Sequence, residues 1–228
     1  MSGSTTIASF AASRWSHDEP TPTPIVTMPI LTHADLRSLY AAPQERARRK
    51  EIAALDRHCR SFIALSPFVV LSTCDSEHNL DASPRGGEPG FVKVTDDGRL
   101  LLPDSPGNNR LDSLQNIVGT GKAGLLFLIP GFDETLRVNG TAVLSTDEDD
   151  LRACTTERRA PKVVIRITVT AAYLHCAKAF MRSKLWSAES KVERTALPTI
   201  GEMIRDQSGL QVAVESREEM ERRYAADL

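Results

Sequence analysis

No two of the four cysteines stand close enough to form a CxxC pair; Cys59, Cys74, Cys154 and Cys176 are scattered along the chain. Zinc sites and redox dithiols rely on close spacing, so neither is indicated and no metal site is expected. Isolated thiols suit a reducing compartment, and buried, weakly reactive side chains are the default for all four. Glycine-rich phosphate loops are missing too. The chain contains no GxGxxG and no Walker-type sequence, which argues against dinucleotide or nucleoside-triphosphate sites of those kinds. The longest apolar runs, such as Leu125 to Pro130, are far too short to span a bilayer, and the start lacks the basic and apolar segments of a signal peptide. Nor does charge of one sign dominate. Lys and Arg total 28 against 30 Asp and Glu, a net charge of −2, which supplies no basic stripe for a nucleic acid. The one basic run, Arg46, Arg48, Arg49 and Lys50, is flanked by Glu45 and Glu51 and reads as a solvated helix face. A cytoplasmic protein without nucleic-acid or membrane partners is the expectation.

What is present is an ordinary globular composition, 41% hydrophobic and 25% charged over 228 residues. Such a chain can bury a core without disulfide or metal staples. Residues 1–30 are rich in Ser, Thr and Pro and form an arm expected to be flexible or extended, because closely spaced prolines block helix and sheet bonding. Thr32 with Asp35 three residues on offers a weak capping box. The spacing of Ile52, Leu55, Cys59, Phe62 and Ile63 predicts a helix from Pro43 to about Ala64. Strand-like pieces follow at 68–73, 80–84, 90–95, 99–102, 122–129, 135–145 and 163–174, with short helices at 108–117 and 147–154. Helices near 198–207 and 215–225 close the chain. Strands at close intervals, with helices only between or outside them, predict a mainly β (α+β) domain, an antiparallel barrel closed or partly closed. It would occupy residues 31–190, followed by a helical extension over 191–228.

Three stretches carry candidate chemistry. From Leu101 to Leu114 an apolar strand ends, a Pro/Gly loop turns, and a helix is expected to begin at Asn108 or Asn109. The first turn of a helix has unpaired N–H groups and partial positive charge, a natural anion seat. Arg110 and Ser113, three apart, would share one face of it and could both reach a phosphate; alternatively Asn caps the helix and Arg110 points into water. In the second stretch, Arg85 precedes Gly86 and Gly87, which would let backbone approach a flat ligand, although a plain hairpin with an exposed Arg is the commoner account of such a piece read alone. In the third, strand alternation puts Arg137 and Asn139 on one face and Leu136 and Val138 on the other.

Taken together, the motifs Ser83-Pro84-Arg85-Gly86, Pro103 to Ser113, Gly124 to Gly131, Thr135 to Gly140 and His175 to Trp186 resemble the pyridoxamine 5′-phosphate oxidase-like FMN-binding split barrels, closest to an uncharacterised bacterial branch. The resemblance covers roughly residues 35–190. It implies a six-stranded split β-barrel with peripheral helices, a homodimer, and FMN at the subunit interface. It further implies that Arg110 and Ser113 hold the phosphate, that Arg85 is a further polar contact, and that Asn109 shapes the loop. Val92 and Lys93 would lie near the isoalloxazine ring. Lys178, Arg182, Ser183 and Trp186 would approach the cofactor from the partner subunit, or pack as an amphipathic helix. Arg85, Lys93 or Arg137 would supply the cation that stabilises reduced flavin. An FMN-dependent oxidoreductase acting on a small molecule is the expected function. The alternatives are a non-catalytic flavin carrier or sensor, and a split barrel using deazaflavin or haem.

Overall fold

The computed structural model describes residues 30, 32–105, 107–157, 159–210 and 214–225; apart from Ile30, the expected arm lies outside them. The chain divides into two units between Pro43 and Gln44. In the first, α1 (His33–Leu39) starts with the expected capping box, in which Thr32 Oγ1 accepts from Asp35 N at 3.1 Å and Asp35 Oδ2 accepts from Thr32 N at 3.0 Å.

The second unit opens on two helices where the spacing predicts one. They are α2 (Glu45–Arg49) and α3 (Arg57–Leu65). Between them Ile52 forms a bridge with Ala172, exchanging backbone bonds of 3.0 and 2.8 Å. A sheet partner 120 positions away therefore captures an apolar residue that the local pattern assigns to a helix. Asp56 then caps α3, accepting from Cys59 N at 2.8 Å.

Seven strands follow: β1 (Phe68–Cys74), β2 (Leu80–Gly86), β3 (Lys93–Val94), β4 (Leu100–Pro103), β5 (Lys122–Leu128), β6 (Thr135–Ser145) and β7 (Val164–His175). All the pairings are antiparallel, in the order β2-β1-β5-β6-β7-β4-β3, and the sheet curls into a split barrel. The strand expected over 90–95 shrinks to β3, because Gly90 takes φ 75° and Phe91 N closes a turn onto Glu88 O at 2.9 Å. That short piece makes the count seven rather than six. Alternation fills the interior: Val69, Leu71, Phe127, Leu136, Val138, Ile165 and Ile167 are all fully buried. At the bulge between Asn139 and Gly140 only glycine fits, since a Cβ on Gly140 would stand 2.3 Å from Thr168 O.

Helices plug and bracket the barrel. The first of them after β4 is α4 (Asp112–Thr120), which packs on β1, β2, β5 and β6 through Leu114 and Ile117. Next comes α5 (Glu148–Cys154), tied to β7 where Arg166 Nε meets Asp150 Oδ2 at 2.7 Å. Beyond the barrel lie α6 (Lys178–Ser183), α7 (Ile200–Ser208) and α8 (Arg217–Ala225), the last two where the sequence places helices. No described helix is long and apolar enough to cross a membrane.

Candidate functional site

The site is built around the start of α4. Strand β4 is apolar and buried up to Leu102, and Asp104 N holds the chain end to Val163 O at 3.0 Å. The helix expected from Asn108 or Asn109 starts only at Asp112. The reason is local. Asn108 Oδ1 accepts the backbone N–H of Arg110 at 3.1 Å, an Asx-type turn, while Asn109 (φ 59°) and Leu111 (φ 61°) both sit in the left-handed region. That region is costly for a bulky side chain such as leucine, and such residues gather at ligand loops.

Leu111 therefore occupies the cap position and brings no oxygen to it, so no side chain caps α4. The first helical bond is Gln115 N to Leu111 O at 2.8 Å, which leaves the N–H groups of the first turn facing out of the helix end. Arg110 precedes this turn instead of sharing a face of it with Ser113, as the sequence spacing had it. Its side chain is 72% exposed, and its Nε pairs with Asp112 Oδ2 at 2.8 Å. Ser113 points the other way and is buried.

What Ser113 meets comes from the edge strand. On β2, Asp81, Ser83 and Arg85 alternate onto one side, opposite Thr73, Leu71 and Val69 of β1. Arg85 Nη2 donates to Ser113 Oγ at 3.3 Å, and Nη1 donates to Pro84 O at 2.9 Å and to Ser83 Oγ. Ser113 Oγ in turn donates to Asp81 Oδ2 at 2.5 Å. Asn116 Nδ2, one helical turn on, donates to Thr73 Oγ1 at 3.0 Å. The same network that positions Arg85 thus staples α4 to the barrel. Asp104 faces it as well. Burial pushes the Asp104 carboxyl above the ordinary carboxylate range, and the charge of Arg85 opposes that shift. Asp81 and Asp104 were not singled out by motif; the i, i+2, i+4 alternation of Asp81, Ser83 and Arg85 was the available signal for the first.

The remaining expected site residues do not converge on this cluster within one chain. Val92 is buried and packs into the core. Lys93 is exposed, with Nζ donating to Gly90 O at 2.9 Å. Arg137 is on the outward face of the sheet, opposite in sense to Arg85. It donates to Tyr173 Oη at 2.9 Å with Cζ 5.5 Å from the ring centroid, and Lys50 Nζ lies 5.6 Å from the same centroid. Lys178, Arg182 and Ser183 are exposed along α6. Trp186 stacks on Phe180 at 5.6 Å between centroids and donates Nε1–H to Phe132 O at 2.7 Å, which is the anchoring role of an apolar ring with one donor. The thiols divide as well. Cys59 and Cys154 are buried and burial pushes each up to about 11, but Cys74 is half-buried and Cys176 exposed, so burial does not hold for all four.

The donors at the head of α4 fit a phosphate: an uncapped first turn, a half-buried guanidinium beside it, and a second guanidinium, Arg110, held only by a surface ion pair.

The sequence profile of the pyridoxamine 5′-phosphate oxidase family matches residues 55–176, from the approach to α3 through β7. No curated protein matches the chain. Among solved structures, the HupZ protein of Group A Streptococcus is 18% identical, with a TM-score of 0.44, over 52% of this chain and 91% of that one. An FMN-binding protein of Syntrophomonas wolfei is 16% identical, with a TM-score of 0.40, over 51% and 83%. An FAD-binding protein of Mycobacterium smegmatis is 12% identical, with a TM-score of 0.38, over 54% and 96%. The profile spans every strand of the split barrel together with the Arg85–Ser113 junction, and on that match over more than half its length the chain belongs to the pyridoxamine 5′-phosphate oxidase family.

Proposed function

We propose that this protein binds FMN as a homodimer and acts as an oxidoreductase on a small molecule, with the FMN phosphate seated on the first turn of α4. The observation that carries the reading is the uncapped start of that helix beside Arg85. Open N–H groups and a guanidinium supply the donors a phosphate monoester needs, and the helix end favours negative charge. Family membership supplies the kind of ligand. When bound, a flavin supplies reversible transfer of two electrons with accompanying protons.

The chain's own residues would divide the work. Arg85 is fixed by Ser83, Pro84 and Ser113, so its guanidinium is pre-oriented. Arg110 can leave Asp112 and close over the phosphate, since a surface ion pair holds it by at most about 1 kcal/mol. The proposed dimer explains why Arg137 and α6 stand apart from this seat. The outward positions at the centre of β2, β1 and β5, namely Ala82, Pro84, Val70, Ser72, Gly124 and Leu126, carry no charge, and Leu80 beside them is 88% exposed. A depression of about 350 Å³ lies on this face. A second copy placed there would cover it and bring its own cations to the cofactor.

A visible spectrum and an FMN titration of the purified protein test the reading. Flavin bands and saturable binding, in a particle of twice the chain mass, are expected. A Soret band, or the absence of flavin binding, overturns it. Anaerobic bleaching by NADH or NADPH, with turnover on added acceptors, separates an oxidoreductase from a carrier.

A further inference from the structure

The proposed phosphate seat contains a negative charge of its own. Ser113 has one hydroxyl proton, and the structure gives it to Asp81 Oδ2 at 2.5 Å while a hydroxyl lone pair accepts from Arg85 Nη2 at 3.3 Å. Thr73 Oγ1 lies 3.5 Å from the same carboxylate oxygen and is itself fixed by Asn116 Nδ2 at 3.0 Å. Asp81 is therefore held in place from β1, from α4 and by its own strand, and cannot swing away without breaking the junction. An anion arriving at Arg85 meets a hydroxyl whose proton is committed to a carboxylate, with that carboxylate directly behind it.

Resting on the FMN reading above, we infer that Asp81 is a counter-charge that weakens the seat for phosphate monoesters and keeps the bound cofactor exchangeable. Its action is specific to the phosphate. Two like charges within several ångströms repel across a partly desolvated site, by enough to change an affinity about tenfold or more at an effective dielectric constant of about 20. A flavin without a phosphate feels none of this. Asp81 is a positioning residue: it acts on the ligand through the Ser113 proton and through charge, without having to touch it.

The test compares FMN with riboflavin, which lacks the phosphate, using flavin-fluorescence titration of the full chain. Wild type should bind FMN more tightly than riboflavin. Asp81→Asn should tighten FMN about tenfold and leave riboflavin unchanged. Asp81→Ser, also neutral, should do the same, and thermal melts identify which variant is folded. If a folded neutral variant binds FMN no tighter than wild type, or shifts both flavins equally, the counter-charge role is wrong while the seat stands. If wild type and the folded neutral variants all bind the two flavins equally, the phosphate is not held here, and both the seat and the role of Asp81 are overturned.

Discussion

Arg85 reaches across 28 positions of sequence to donate to the Ser113 hydroxyl at 3.3 Å. One residue lies on the edge strand β2 and the other in the first turn of α4, so the bond ties the helix start to the sheet edge. Because Ser113 is buried and Arg85 half-buried, the pair is shielded from solvent in a way the exposed Arg110 is not.

That difference orders two variants. Arg85→Ala should weaken FMN by roughly 1.5–3 kcal/mol, the range for a hydrogen bond to a charged group. Arg110→Ala should cost less, about 1 kcal/mol or below, since its side chain is solvated and already paired. Equilibrium titration of both variants measures this directly. A larger loss at Arg110 would mean that the loop closes much more firmly than its ion pair with Asp112 implies.

Asp104 predicts a pH dependence of stability. Burial raises its folded-state value above the ordinary range, so the folded chain holds the proton more tightly than the unfolded chain does. The resulting stabilisation is complete below the unfolded value of about 3.9 and is lost as the pH rises through the folded value. Asp104→Asn stays neutral throughout. Its melting temperature should exceed that of wild type near neutral pH, and the gap should close as the pH falls towards about 4. A gap that widens on acidification would contradict the assignment.

Two glycines should respond with opposite signs to the same change. A Cβ at Gly140 would collide with Thr168 O, so Gly140→Ala should destabilise by at least about 1–3 kcal/mol through overpacking. Gly119 lies in α4 with nothing within 4 Å of such an atom, so Gly119→Ala should stabilise by about 0.5–1 kcal/mol. Urea unfolding midpoints of the two variants provide the comparison.

Thiol counting distinguishes the four cysteines. A reagent added to native protein at about pH 8 should modify Cys176 quickly and Cys74 more slowly. Cys59 and Cys154, buried and pushed up to about 11, should react only after denaturation. Rapid native labelling of either buried residue would show that the core opens locally.

The sequence by itself determined the mainly β architecture, because short apolar and β-branched runs bounded by turn residues, as over 68–73, 122–129 and 163–174, read as strands without any distant partner. It also determined the cap at Thr32, where a hydroxyl and an acid three residues on satisfy each other locally. The tertiary structure decided what depends on distant partners. Ile52 left its helix because Ala172 offered backbone bonds, and the 90–95 strand was cut short at Gly90. The later start of α4, at Asp112 rather than Asn108, is by contrast a local effect, since left-handed residues at 109 and 111 interrupt the helical run. Above all, the motif reading pairs Ser113 with Arg110, makes Arg85 only a further contact to the cofactor, and gives Asp81 and Asp104 no role. Strand alternation puts Asp81 on the same side of β2 as Arg85, but only the curl of the sheet, which lays α4 against β2, makes it the partner of a hydroxyl 32 positions away.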